Sequence, residues 1–265
     1  MVNSKYIEAK NAFVNQLQKK LGKDLLAVIS VGSEPNGELV DGWSDLDFLI
    51  IVSGMGLDIK RKLAQAILTV EKESNIHIGV NIISQKEATN PPFPTINLEG
   101  KTLQALLELS MGSSKLLFSK IPSEELYKPS EEEIKEYSLN NIKMLLRRNR
   151  IALIRHNSEN LEVFKSVVAK EIRAAYIMAK LAVQYFTLET ITSDKKLVQR
   201  AKEVFEDFDF KVLETSNEYI NEWGSTPWKE EELRDILSKT NDFIESFSDY
   251  VYTKASLIRV NSKAA

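Results

Sequence analysis

The stretch Ser30-Val31-Gly32-Ser33, followed after eleven residues by Asp45-Leu46-Asp47-Phe48-Leu49-Ile50, decides how this chain is read. Upstream, Leu25-Leu26-Ala27-Val28-Ile29-Ser30-Val31 is an apolar run of strand length that stops at Gly32. Downstream, Leu46 to Val52 is a second such run, interrupted by Asp47. A charge inside a buried strand needs a counter-ion or a metal to offset its lost hydration. Asp45 and Asp47 stand at i and i+2, so a strand points both carboxylates to one face. Their hard oxygens suit Mg²⁺, which shares its coordination between carboxylates, water and phosphates. The polar loop from Ser33 to Ser44 begins at Gly32, whose missing side chain lets backbone amides approach a phosphate.

Outward from this core, Ile7, Phe13, Val14, Leu17 and Leu21 fall near helical spacing and predict a helix over about 4–21, stopped by Gly22. Leu63, Ala66, Ile67 and Val70 predict another over about 58–72. Ile76 to Ile83 alternates with period two, a strand whose open face carries His77, Gly79 and Asn81. Asn90-Pro91-Pro92-Phe93-Pro94 reads as a break. Leu103, Leu106, Leu107 and Leu109 predict a helix, and Lys115-Leu116-Leu117-Phe118 an edge strand. Beyond Ser130 the chain reads as helix after helix, at about 131–156, 159–188, 195–207 and 229–255. In the second, Phe164, Val168, Ile172, Ala175, Ala179, Ala182 and Phe186 form one stripe, with Val167 and Met178 at its edge. The expected architecture is an α/β (α+β) domain with a small mixed sheet over 1–125, followed by an all-α helical bundle domain over 126–265.

Composition narrows the chemistry. The chain of 265 residues is 43% apolar and 28% charged, as soluble globular proteins are. Its net charge of −3 gives no ground for a nucleic-acid partner. With no cysteine, disulfides, thiolate metal sites and Cys nucleophiles are excluded. With two histidines, His77 and His156, a His-rich metal centre is excluded too. The N-terminal residues lack the pattern of a signal peptide, and no apolar run is long enough to span a bilayer. The expectation is a cytoplasmic protein with no membrane partner.

The motif resembles the signature of the DNA polymerase β-like nucleotidyltransferase superfamily: apolar-Gly-Ser, about ten residues, then Asp-apolar-Asp opening an apolar strand. The string Ser44-Asp45-Leu46-Asp47 is similar to the form found in its small bacterial and archaeal members. The resemblance covers roughly residues 25–55 and extends plausibly to 85. It implies Mg²⁺-dependent transfer of a nucleoside monophosphate, AMP from ATP the first choice, to an acceptor hydroxyl. Asp45 and Asp47 would be the catalytic, metal-holding carboxylates, and Gly32, Ser33 and Ser44 would bind the nucleotide. A second match lies in the helical half. Tyr176-Ile177-Met178-Ala179-Lys180 through Tyr185-Phe186-Thr187-Leu188 to Thr190-Ile191-Thr192-Ser193-Asp194-Lys195-Lys196 resembles the C-terminal lobe of streptomycin/spectinomycin-type aminoglycoside adenylyltransferases. It implies that Lys180, with Lys195 or Lys196, reaches the nucleotide phosphates, and it makes an aminoglycoside-like acceptor the first guess.

One departure from the family stands out. Active members carry a third carboxylate on the strand after the helix, where this chain has His77, Gly79 and Asn81. An Asn can coordinate Mg²⁺ but cannot take a proton, so Glu38, Asp41, Glu99 and Glu108 become candidate bases, with His77 behind them. The alternative is a catalytically degenerate nucleotide-binding or regulatory protein. A third reading, a toxin–antitoxin-like fusion, rests on Arg150 and His156, whose spacing resembles that of HEPN-type ribonuclease domains, although Ile151 replaces the usual polar residue. Tyr219, Trp223 and Trp228 with the run Lys229-Glu230-Glu231-Glu232 offer an aromatic-acidic patch for a cationic substrate, or simply packing.

Overall fold

The structure is a computed structural model that describes residues 4–40, 43–90, 101–110, 114–155 and 160–264. The chain packs into two compact units, Met1–Glu133 and Ile134–Ala265. Of the expected break, Pro91–Pro94 lie outside the described residues.

The first unit is built on a four-stranded mixed sheet. Strands β1 (Leu25–Val31) and β2 (Leu46–Val52) pair antiparallel, with Val31 opposite Asp47. Strand β3 (Ile78–Ser84) lies parallel to β2, with Asp47 opposite Gly79 and Leu49 opposite Asn81. A parallel pair needs a crossover, and helix α2 (Leu57–Ser74) supplies it. Helix α3 (Gln85–Thr89) follows under a Ser84–Glu87 capping box. After α4 (Lys101–Ser110), β4 (Lys115–Ser119) joins the outer edge of β1, giving the order β3-β2-β1-β4.

Helix α1 (Ser4–Leu21) packs with α2 on one face of this sheet. Its Phe13, fully buried, meets Phe48 of β2 with ring centroids 4.9 Å apart, and Leu17, Leu63, Ala66 and Val70 fill the rest. The sequence pattern misplaces one residue. Ile7, expected on the apolar stripe, is 40% exposed, and Tyr6 and Lys10 occupy the buried face instead. Both polar tips find partners in the loop described below, which is why their burial is tolerated.

The second unit is all helical: α5 (Glu131–Arg155, starting just before it), α6 (Leu161–Thr187), α7 (Asp194–Val204), α8 (Lys211–Glu222) and α9 (Glu230–Ala264). Helix α6 is its spine. Phe164, Val168, Ile172, Ala175, Ala179 and Ala182 are buried as the stripe predicts, while Phe186 is only half-buried. Leu181, Val183 and Gln184 on its other faces are buried too. Asn160 caps its start and Leu188, at φ 61°, ends it. Helix α8 is not foreseen in the sequence. Its buried residues Leu213, Ser216 and Ile220 have helical spacing, but the central serine breaks the apolar stripe. Phe205, Phe208, Phe210, Phe243 and Phe247 stack into the aromatic core between these helices. Among the described residues, no helix is long and apolar enough to cross a membrane.

Because Phe13 holds α1 to the strand that carries Asp47, Phe13→Ala should destabilise the first unit by about 3–5 kcal/mol. Leu68→Ala, at a position 64% exposed, should change it by less than about 0.5 kcal/mol. Urea unfolding of both variants checks the contrast.

Candidate active site

Strand β1 ends at Gly32, where φ is +81°, a conformation that favours glycine. The chain turns there, and the Ser33 carbonyl accepts the Glu38 amide at 3.2 Å. A single 3₁₀ turn, Glu34–Asn36, closes on Gly37. At the far end of the loop the Ser44 amide donates to the Val40 carbonyl at 2.8 Å. The Ser44 hydroxyl accepts from the Val40 amide at 2.9 Å, so its oxygen braces the loop.

Asp45 and Asp47 follow directly, both half-buried, while Leu46 between them is fully buried on the opposite face. Asp47 lies on the sheet face opposite Leu46, and Asp45 directly precedes the strand. Glycines flank Asp47 on both sides, Gly32 just past the end of β1 and Gly79 in β3. A Cβ at Gly32 would sit 3.7 Å from Asp47 Oδ2, whereas one at Gly79 would sit 2.1 Å from Oδ1 and 3.1 Å from Cγ. The Asp47 carboxylate therefore occupies the space that any side chain at position 79 would need. The bare strand seen in the sequence is the receptacle for this carboxylate.

The carboxylates of Asp45 and Asp47 are hard oxygen donors of the kind Mg²⁺ takes in company with phosphate oxygens. Among the described residues, no group of three or more His, Asp or Glu side chains comes together as a metal cluster. The candidate bases are placed as follows. Glu38 is half-buried in the loop. Glu108, 2% exposed, accepts from Gln104 at 2.9 Å and from the Ser114 hydroxyl at 3.3 Å, bracing the end of α4. The His77 ring pairs with Glu71 of α2 at 2.7 Å, and the same carboxylate oxygen accepts the Ile78 amide at 2.9 Å. Asp41 and Glu99 lie outside the described residues. Asn81 shares the strand face of Gly79 but stands opposite Leu49, one pleat beyond Asp47.

Sequence reasoning missed a polar network beneath the loop. Lys10 and Glu34, 8% and 7% exposed, form an ion pair at 2.5 Å. The fully buried Ser30 hydroxyl donates to the other Glu34 oxygen at 2.6 Å. The Tyr6 hydroxyl reaches the Ser44 carbonyl at 3.1 Å and the Val40 carbonyl at 3.4 Å. The available signal was a lysine four residues after a tyrosine, both where a helix of this period turns inward.

In the helical unit, Lys180 is half-buried on α6, and Lys195 and Lys196 are exposed in the first turn of α7, where Ser193 caps the Lys196 amide at 3.3 Å. Arg150 is fastened to Glu245 through two bonds of 2.7 and 2.5 Å, and it holds the Glu245 carboxyl below its usual pKa. This salt bridge engages the arginine on which the ribonuclease resemblance turned; His156 lies outside the described residues. The aromatic-acidic patch resolves into packing. Trp223 is buried against Trp228, Glu230 pairs with Arg234, and Glu232 accepts the Lys229 amide.

The architecture, a mixed four-stranded sheet followed by an all-helical unit, has a counterpart of known structure. Among solved structures it is similar to spectinomycin adenyltransferase AAD(9) from Enterococcus faecialis, determined with ATP and spectinomycin. The TM-score is 0.57 at 18% identity, over 90% of this chain and 99% of that one. At that identity the likeness establishes the fold. No protein-family model and no curated protein matches the sequence.

The contact between Gly79 and Asp47 gives a direct test. Gly79→Ala should destabilise the protein by about 1–3 kcal/mol, the usual cost of overpacking. In an Asp47→Ala background, where the colliding oxygens are gone, the same change should cost markedly less. A double-mutant cycle by denaturant unfolding measures the difference.

Proposed function

We propose that this chain is a Mg²⁺-dependent nucleotidyltransferase that moves AMP from ATP to a hydroxyl of an acceptor, an aminoglycoside-like molecule the first candidate. The observation that supports the reading is the Asp47 carboxylate, seated on β2 between Gly32 and Gly79, with Asp45 two residues before it. In the reaction the acceptor oxygen forms a bond to the α-phosphorus, the bond to the bridging α–β oxygen breaks, and pyrophosphate leaves. Bound at the two carboxylates, Mg²⁺ supplies charge neutralisation for the triphosphate and acidifies the attacking hydroxyl. Gly32 and Ser33 offer backbone amides to the phosphates, and the strand fixes the aspartates against movement during in-line transfer. Ser44 supports the site by holding the turn before Asp45. Lys180 and Lys196 are the nucleotide-binding candidates of the helical unit, supported by their match to the adenylyltransferase lobe. ATP, or another nucleoside triphosphate, and the acceptor are the partners this reading requires; a cytoplasmic location fits both.

A second reading is favoured by one observation. Strand β3 presents Gly79 and Asn81 where the family has a carboxylate, and the Asp47 carboxylate itself fills the space at Gly79. A nucleotide-binding, regulatory protein without turnover would need no base there.

The metal assignment predicts calorimetric ATP binding that requires Mg²⁺. Asp45→Ala combined with Asp47→Ala should abolish that requirement with the fold intact, and unchanged Mg²⁺-ATP affinity would sink the assignment. Charge-assisted contacts to phosphate are worth about 1.5–3 kcal/mol, so Lys180→Ala should weaken ATP binding roughly tenfold or more.

Turnover separates the two readings. A positioned base contributes about 10²–10⁴-fold in rate. Radiolabelled ATP, offered with aminoglycosides, tRNA and the protein itself, should label an acceptor with the wild type if a base is supplied elsewhere in the chain. Labelling only by Asn81→Asp marks decay from an active form. Mg²⁺-dependent binding with no labelling by either variant assigns the chain to nucleotide sensing.

A further inference from the structure

We propose that helix α1 is the positioning element of the nucleotide site, with Tyr6 and Lys10 holding the two ends of the loop that joins Gly32–Ser33 to Asp45. The inference rests on the nucleotide-site reading above and assigns these two residues a role within it. Tyr6 and Lys10 are four residues apart, hence neighbours on one face of α1. Lys10 grips Glu34, the residue directly after Ser33, at 2.5 Å. Tyr6 donates to the carbonyl of Ser44, the residue directly before Asp45, at 3.1 Å. Ser30, on the strand leading into Gly32, donates to the second oxygen of Glu34 at 2.6 Å. The turn proposed to cradle phosphate and the carboxylates proposed to hold metal are thus anchored to one rigid helix, from beneath.

The energetics argue for positioning over stability. Lys10 and Glu34 both lie below one-tenth exposure, and withdrawing two charges from water costs about as much as, or more than, their attraction returns. An apolar pair would serve packing as well. What the ion pair and the Ser30 bond add is direction. Both oxygens of Glu34 are engaged, so the backbone at Ser33 cannot swing without breaking a buried contact. A loop ordered beforehand spares the ligand the entropy of fixing it on binding.

The test uses the full chain. Tyr6→Phe removes one hydroxyl and keeps the ring. Lys10→Met combined with Glu34→Gln removes both charges and leaves no buried ion unpaired. Ser53→Ala, which deletes the Ser53–Asp24 bond of 2.9 Å at the opposite end of β2, is the control. Each variant is measured for melting temperature, for Mg²⁺-ATP affinity, and for hydrogen exchange at the Gly37, Glu38, Trp43 and Ser44 amides. We expect Tyr6→Phe to weaken Mg²⁺-ATP binding about three- to tenfold, as a lost hydrogen bond does, and to speed exchange at Trp43 and Ser44. The double variant should weaken binding about tenfold and speed exchange at Gly37 and Glu38. The control should change neither. Altered melting with unchanged affinity and unchanged loop exchange would overturn the inference and reduce the contacts to packing. If the wild type binds no Mg²⁺-ATP, the nucleotide reading falls and this inference with it; faster loop exchange would then record anchoring without a nucleotide role.

Discussion

A carboxylate in a central strand of a small sheet has to be accommodated before anything else can be arranged around it. Asp47 lies between β1 and β3, and its two oxygens lie toward Gly32 on one side and Gly79 on the other. The Gly79 contact is the tighter, since a Cβ there would overlap Oδ1. The rest of β2 answers to this constraint. Leu46, Phe48, Ile50 and Val52 turn to the core under α1 and α2, which commits Asp47 to the other face through the period of the strand. A slip of one residue would turn the Asp47 carboxylate into the apolar core under α1 and α2, so the register is strongly specified.

The two ends of the loop between Gly32 and Asp45 are held by the same helix that closes the core. Phe13 and Leu17 of α1 are buried on the sheet, and one and two turns earlier Lys10 and Tyr6 reach the loop ends. One face of one helix thus combines apolar packing with polar anchoring. The Ser44 hydroxyl, bonded to the Val40 amide, adds a local brace of the kind that Ser side chains supply in turns.

The helical unit shows the same mixture in its core. Asn149 of α5 donates to the buried Glu171 of α6 at 2.6 Å, and Ser138 donates to the buried Gln184 at 3.3 Å. These contacts tie the two helices at points far apart along their length. A shift of either helix would leave Glu171 buried without its amide partner, so the polar pairs fix a register that the small residues Ala175, Ala179 and Ala182 would otherwise leave loose.

The sequence by itself determined the strands β1, β2 and β3, the edge strand β4, and the helices α1, α2, α4, α5, α6, α7 and α9, most of them through a clean apolar period or run. It also determined that Asp47 faces away from the side chains of Leu46 and Phe48, since a strand alternates its faces. The unforeseen helix α8 and the exposed Ile7 mark where periodicity fails: a buried serine or lysine reads as a surface residue until its partner is known. Tertiary structure alone decided that Lys10, Ser30 and Glu34 form one buried network, because they are joined across 24 residues of chain by contacts that no local pattern encodes. It alone decided the meaning of Gly79 as well. In the sequence that position is an absent side chain; in the sheet it is the volume taken by the Asp47 carboxylate, fixed by the pairing of two strands separated by an entire helix.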